Sequence, residues 1–467
     1  MSRPSIVASL CVLAIGCAST SPKEPYDQSA AAIEARLGQR VHWNQGTDED
    51  RSVAERVHAL LQHEVSADTA VQIALVNNPA LQATFEELRI AQADLVQAGL
   101  LRNPSFSLEY LFPIHESEAE PSPRRNVHMD VVGDFLDVFT IPARKRVARA
   151  GLEAAKLRVG DAAVKLAYDV RAGFYRAVAA EQILSMRKMV IEGASAAVDL
   201  ARRQHEAGNL SDLDLATQEA TYAQVVLDVS RAAAEVFGAR ESLTRMMGVW
   251  GPDTEWKVAA KLPELPKDDP PLEHLESLAI ARRFDLAAIH HDAEVLSETI
   301  AMVKNWRWIN GSVGAGLERT HEGSLFLGPS GSIELPIFDQ KQAVIARLEG
   351  LLNQARAREA SLAVDIRSEV RTARAQLTFT RSVFEQFATK VVPAREQVVA
   401  LSQQQYDAML LGVYELLIAK QNEVNAYREL IESARDYWIA RSDLERAVGG
   451  RLDAEKPAPK PGVSEKK

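Results

Sequence analysis

Apolar residues recur along this chain with two different periods. Val159, Ala163, Leu166, Val170, Phe174 and Ala177 follow one another at spacings of three and four, which predicts one stripe of a helix. Leu213, Ala216, Ala220, Ala223, Leu227, Ser230, Ala234 and Phe237 alternate the same two spacings without a slip. Such a stripe predicts a coiled-coil seam, and its alanines let neighbouring helices approach closely. Val424, Tyr427, Ile431, Ala434 and Trp438 repeat the pattern late in the chain. A soluble helical bundle would use these stripes equally well. Length argues against it: no proline separates Pro142 from Gly208, and at ~1.5 Å per residue such a helix reaches roughly 100 Å.

Between the helical stretches the period falls to two. Phe106, Leu108, Tyr110 and Phe112 alternate with Ser105, Ser107 and Glu109, the apolar-out, polar-in pattern of a strand facing lipid. A polar loop at 115–125 follows, then a second strand at 127–132. Val313, Ala315 and Leu317 alternate with Ser312, Gly314 and Glu318. After a loop, Ile333, Leu335 and Ile337 alternate with Ser332 and Glu334. Trp306 and Trp308 precede the third strand, where interfacial aromatics often sit. Two hairpins make four strands per chain. A sheet in lipid must close, because an open edge leaves backbone groups unpaired. Single-chain barrels begin at about eight strands, so several copies must share one barrel, and three would supply about twelve strands.

The two halves resemble each other. The stretch 66–84 aligns with 271–289, pairing Ala74 with Ala279 and Leu81 with Leu286. Later, Leu243, Arg245 and Gly248 pair with Leu444, Arg446 and Gly449 at one constant offset. A repeat of roughly 200 residues is a duplicated domain rather than a solenoid unit. The expected organisation is a signal at 1–16, an N-terminal tether and equatorial segment at 17–65, and a first repeat at 66–250. A Pro- and Asp-rich linker at 251–270, a second repeat at 271–450 and a disordered tail at 451–467 complete it.

Composition changes the picture in three ways. The chain is 46% hydrophobic and 25% charged, as folded proteins are, and its net charge of −10 excludes nucleic acid as a plausible partner. No stretch beyond the first 16 residues approaches the ~18 apolar residues of a spanning helix. Arg3, a short apolar core from Ile6 to Ile15 and the small-residue site before Cys17 read as an export signal. Cys17 then resembles the acylated cysteine of a bacterial lipoprotein, palmitate included; an ordinary secretory signal is the alternative. Cys11 and Cys17 are the only cysteines, so the exported body has neither disulfides nor thiolate metal sites.

Residues 74–110, 206–224, 331–343 and 444–450 carry, in order, segments that resemble TolC-like outer membrane efflux proteins, and the likeness runs from about Ser66 to Gly450. The resemblance implies a mainly α fold with a transmembrane β-barrel, built from a duplicated four-helix, two-strand repeat. It implies a homotrimer sharing a 12-stranded barrel continued by a long α-helical periplasmic barrel. The lipobox and the 406–450 stretch look closest to subunits paired with heavy-metal or drug RND pumps. The implied location is the outer membrane, lipid-anchored, and the implied partners are a periplasmic membrane-fusion adaptor, an inner-membrane RND pump and membrane lipid. No cofactor is implied. In this family the adaptor docks on helix-turn-helix tips, which correspond here to Gly208, Asn209, Leu210 and Ser211 and to Leu411, Gly412, Val413 and Tyr414. Glycine at 208 and 412 would allow the tight reversals at positive φ, and Ser211 is either a helix cap or a docking contact. Some relatives narrow the tip with aspartates after the second turn. The matching stretch 417–421 has no acid, which leaves Asp212, Asp214 and Glu415 as candidates for a constriction.

No phosphate-binding loop, HExxH or Ser/His/Asp signature occurs, so neither an enzyme nor a metal centre is expected. His290 and His291 are adjacent on a predicted helix, point about 100° apart and make a poor chelate. His115 with Glu116, Glu118 and Glu120 reads as a solvated loop. Three readings follow: an efflux duct, a type I protein-secretion duct of the same architecture, or a periplasmic coiled-coil scaffold without a pore. Outward-facing Phe106, Leu108, Tyr110 and Phe112 disfavour the scaffold, and the lipid anchor favours efflux.

Overall fold

The computed structural model describes residues 20–111, 126–133, 137–269, 272–308, 311–320 and 324–452. The export signal with Cys17, the 115–125 loop, Phe112 and most of the tail lie outside the described residues. Helices α1 (Lys23–Leu37) and α2 (Asp48–Leu61) open the chain. The tether expected there is therefore already helical at Lys23. Ile33, Leu37 and Trp43 are buried in its first part, too few in a polar stretch to print a repeating stripe, whereas Val53, Val57 and Leu61 make a regular buried stripe along α2. Thr47 and Asp50 form a capping box at the start of α2.

The first repeat then runs β1 (Glu64–Val65), α3 (Ala67–Asn77), α4 (Pro79–Ala98), β2 (Ser105–Leu111), β3 (Asn126–Gly133), α5 (Asp137–Glu206) and α6 (Asp212–Met247). After β4 (Lys257–Val258), the second runs α7 (Leu275–Arg282), α8 (Phe284–Trp306), β5 (Gly311–Arg319), β6 (Leu325–Ile333), α9 (Gln342–Gln386), α10 (Val392–Asp407) and α11 (Val413–Val448). A π-helical turn, Phe387–Val391, joins α9 to α10. Element order is thus duplicated, and so are the joints. Asn78 and Arg283 each end a helix in extended conformation before the next begins. Gly248 and Gly449 each close a long helix in the left-handed region, at φ 71° and 84°.

The chain packs into two compact units. The first comprises Met1–Asp27, Glu86–Leu157 and Asp285–Ser361 and holds a four-stranded sheet of order β2-β3-β5-β6, antiparallel throughout. Its fourth strand lies upstream of the expected 332–337 stretch, at 325–333. The hairpin places Leu325 opposite Arg319 and so sets the strand close behind the turn. Gly328, Pro329 and Gly331 disguise it as a loop, yet proline is tolerated because β6 is an edge strand. In the flanking helices Arg146 pairs with Glu298 at 2.9 Å and Phe139 stacks on Trp306. His290 and His291 sit edge to face, His290 bound to Glu359 and His291 to Glu294.

The second unit, Gln28–Phe85, Arg158–Phe284 and Leu362–Lys467, holds the helical core. Val159, Ala163, Val170, Phe174 and Ala177 of α5 are buried there, as their spacing predicts. The α6 stripe is not. Leu213, Leu227 and Phe237 are exposed, and α6 turns Val225, Ala232, Leu243 and Met247 inward instead. The expected linker also proves to be packed. Trp256 is fully buried, donates its indole N–H to Thr244 Oγ1 at 3.0 Å and lies under the Arg240 guanidinium. Arg381 and Tyr437 both bond Asp269, at 2.8 and 2.6 Å, and β4 pairs in parallel with β1. Its prolines stop helix formation without preventing burial of an extended strap.

Candidate functional sites: the helix reversals and the two-faced sheet

The α5–α6 and α10–α11 reversals are the same motif built twice. In the first, Gly208 has φ 78°, and the N–H groups of Gly208 and Asn209 donate to the carbonyls of His205 and Gln204, at 2.9 and 2.8 Å. In the second, Met409 has φ 58°, and the N–H groups of Met409 and Leu410 donate to the carbonyls of Tyr406 and Gln405, at the same two distances. Both are Schellman closures of the incoming helix. Gly412, expected to make the second reversal at positive φ, has φ −75° and is the N-cap of α11. It is the counterpart of Ser211, the N-cap of α6, and the left-handed position falls to Met409.

Ser211 Oγ accepts from the Asp214 N–H at 3.1 Å and donates to the Asp214 carboxylate at 2.6 Å. Glu415 stands at the same place in α11, and its carboxylate folds back over Gly412. Asp212, almost fully exposed, lies 3.5 Å from His205. All three candidate constriction acids therefore sit in first helical turns, where negative charge complements the helix dipole. The turns expose apolar Met409, Leu410 and Leu213 beside polar Asn209, Ser211 and Asp212, while Leu210, Leu411, Val413 and Tyr414 are half-buried.

Several linking residues have no local sequence motif. The Tyr414 hydroxyl donates to Gln204 Oε1 at 2.8 Å and ties one hairpin to the other. Arg202 joins Glu219 across the first hairpin at 3.1 Å. The Tyr427 hydroxyl bonds the Glu396 carboxylate, and that bond pushes its pKa up to about 12. Between α5, α6 and α11 lies a mostly apolar cleft of about 320 Å³, lined by Met186, Met189, Tyr222 and Leu417 among others.

The sheet has two unlike faces. Its register aligns Phe106 with Val131 and Ala315, Leu108 with Met129 and Leu317, and Tyr110 with Val127 and Arg319. Ala315 and Leu317 continue to Pro329 and Leu327. Residues directly opposite share a face, so these rows form one largely apolar surface across all four strands, with Arg319 at its end. Phe106, Leu108, Met129, Val131 and Leu327 are exposed in the single chain. The opposite face aligns Glu109 with His128 and Glu318, and Ser107 with Asp130 and Gly316. On it His128 pairs with Asp130 at 2.6 Å. The pair lies across Gly316, where an added Cβ would stand 2.6 Å from the Asp130 carboxylate. Among the described residues no three His, Cys, Asp or Glu side chains converge as metal ligands, and no helix is long and apolar enough to cross a membrane.

Residues 70–249 match the family model described as outer membrane efflux protein. The cobalt-zinc-cadmium resistance protein CzcC of Cupriavidus metallidurans is 20% identical over 392 residues, covering 82% of this chain and 90% of that protein. The CmeC outer membrane channel of Campylobacter jejuni superposes with a TM-score of 0.72 at 16% identity, covering 82% of this chain and 85% of that chain. A membrane protein from Pseudomonas aeruginosa superposes with a TM-score of 0.70 at 17% identity, covering 82% and 92%. At these identities the structural likeness is one of fold.

Proposed function

We propose that this chain, whose residues 70–249 match the outer membrane efflux protein model, belongs to that family and is one subunit of a passive exit duct through the outer membrane. The observation that carries the reading is the sheet: four strands among the described residues, one face largely apolar and exposed, the other with Ser107, Glu109, His128, Asp130 and Glu318 at its centre and Leu111 and Phe326 at its margins, and β2 and β6 at its two edges. In lipid those edges must pair, and four strands cannot close on themselves. An even number of antiparallel strands lets β6 of one copy meet β2 of the next without breaking the alternation. Three copies then give a barrel of about twelve strands with the Glu109–His128–Glu318 row facing water.

The exposed stripe of α6, rich in alanine, suits close packing against a neighbouring copy in a helical tunnel. The exposed Leu213, Met409 and Leu410 at the reversals suit docking by a periplasmic adaptor, which links the duct to an inner-membrane pump. Asp212, Asp214 and Glu415 are the acids available to line the closed tip. Cys17 is the site of lipid anchoring. Energy comes from the pump, and the chain itself has no catalytic role. The relative named for cobalt, zinc and cadmium resistance points to divalent metal cations as cargo.

The test is Leu108→Arg. Leu108 lies in the middle of the apolar face, and an arginine facing lipid at mid-bilayer costs about 2–4 kcal/mol per subunit. The wild-type chain is expected to form a trimer that resists mild detergent, conduct ions in planar bilayers and restore cobalt, zinc and cadmium tolerance to cells lacking it. The variant should lose all three. Normal assembly and conductance with Arg at 108 would refute the lipid-facing assignment, and wild-type conductance without metal tolerance would refute the cargo.

A further inference from the structure

Strand β6 ends at Ile333, but the alternation of its apolar face does not stop there. Leu335 and Ile337 continue the odd-numbered series of Leu325, Leu327 and Ile333, and Phe338 follows them. All three are exposed, Phe338 at 92%. They are nonetheless held in a built turn. The Ile337 N–H donates to the Leu335 carbonyl at 2.8 Å, and the Gln342 side chain donates to the Phe338 carbonyl at 3.2 Å. The Lys341 N–H donates to the Asp339 carboxylate at 2.8 Å, with Lys341 itself at φ 62°. Contiguous apolar side chains held in the open mark a surface that something else covers.

The opposite edge of the sheet has a matching feature. Leu100 and Leu101, also exposed, lie in the lead-in to β2, where the Arg144 guanidinium donates to the Leu100 carbonyl at 3.2 Å. Ser105 at the start of β2 pairs with Val132, Val132 with Gly314, and Gly311 with Ile333. Both apolar flanks therefore lie at the same end of the sheet. Beside the inner strands the chain supplies its own contact, since Phe139, after β3, stacks on Trp306, ahead of β5. The edge strands β2 and β6 each have a free side.

On the duct reading, on which this inference rests, β6 of one copy runs antiparallel to β2 of the next. The chain leaving β6 then lies beside the chain entering β2. We propose that Leu335, Ile337 and Phe338 of one copy pack on Leu100 and Leu101 of the next, an apolar clasp that fastens the seam at the helical end of the sheet. A second copy is favoured over lipid because the two flanks stand on the two edges that closure joins, one exposed apolar segment on each. Such a contact is heterologous, so every seam of a closed ring repeats it.

The test is disulfide crosslinking of the full-length protein in phospholipid bilayers. The chain has no cysteine beyond Cys17, so Leu101→Cys and Phe338→Cys introduce thiols without a competitor near the sheet. Mild oxidation should give covalent dimers on denaturing gels when copies carrying one change are co-expressed with copies carrying the other, and none with either alone. Phe338→Ser should leave the subunit helical yet release monomer in detergent roughly tenfold more readily, as loss of a buried apolar side chain at each seam requires. Wild-type trimers that conduct, with no crosslink between 101 and 338 or with Phe338→Ser trimers equally stable, overturn the clasp and leave the duct standing. Wild-type chains that neither trimerise nor conduct overturn both. Quenching of Phe338→Trp fluorescence by brominated phospholipid, in place of crosslinking, overturns the clasp in favour of lipid.

Discussion

Met409 holds a backbone conformation that costs an ordinary L-residue about 1–2 kcal/mol, and it does so almost fully exposed to solvent. Its counterpart is Gly208, which meets nothing within 4 Å where a Cβ would stand. Packing within the chain therefore does not repay the strain at 409. On the duct reading the methionine side chain is kept for a partner. Met409→Gly should stabilise the second reversal, read as slower amide exchange at Leu410 and Leu411, while reducing crosslinking to the adaptor. Faster exchange, or undiminished crosslinking, would remove Met409 from the docking surface. Part of this is legible in the sequence. Ser211 three residues before Asp214 is a recognisable cap, and glycine at 208 is a recognisable reversal. Gly412 misleads because glycine is the default residue at positive φ, whereas a gapless pairing of the repeats already sets Met409 opposite Gly208.

Helix α6 shows what periodicity can and cannot decide. Leu213, Leu227 and Phe237 form one apolar stripe, and Val225, Ala232, Leu243 and Met247 form another. Both obey helical spacing, and no single-chain pattern tells which one faces its own core. The structure buries the second and leaves the first exposed, so substitutions on the two should separate folding from assembly. Val225→Asp should unfold the subunit, since a charge would enter a site that is 1% exposed. Phe237→Asp, at a residue 69% exposed, should leave a helical monomer that no longer trimerises, losing about 1.5–3 kcal/mol of burial at each interface. Trimer mass and helical circular dichroism of both variants decide it; unfolding by Phe237→Asp would place that stripe in the subunit core. Strand β6 escapes notice for a related reason. Glycine and proline at 328–331 read as a loop until hairpin register shows the stretch paired on an edge.

For the molecule as a whole, the duplication is legible because Leu243, Arg245 and Gly248 reappear in order as Leu444, Arg446 and Gly449 at matching helix ends. The strap around Trp256 is not, because burial of an extended segment leaves no period to detect. One further feature reaches beyond the single chain. The edges of the sheet, β2 and β6, are different sequences, so on the duct reading copies join head to tail and each depends on both neighbours. In genetic terms this makes a damaged allele dominant. A variant that trimerises through its helices but blocks the reversals would poison every ring it enters. Expressed equally with the wild type, it would leave only about one ring in eight free of it. Tolerance in such merodiploid cells should therefore fall far below half, whereas retention of half or more would indicate subunits that work independently.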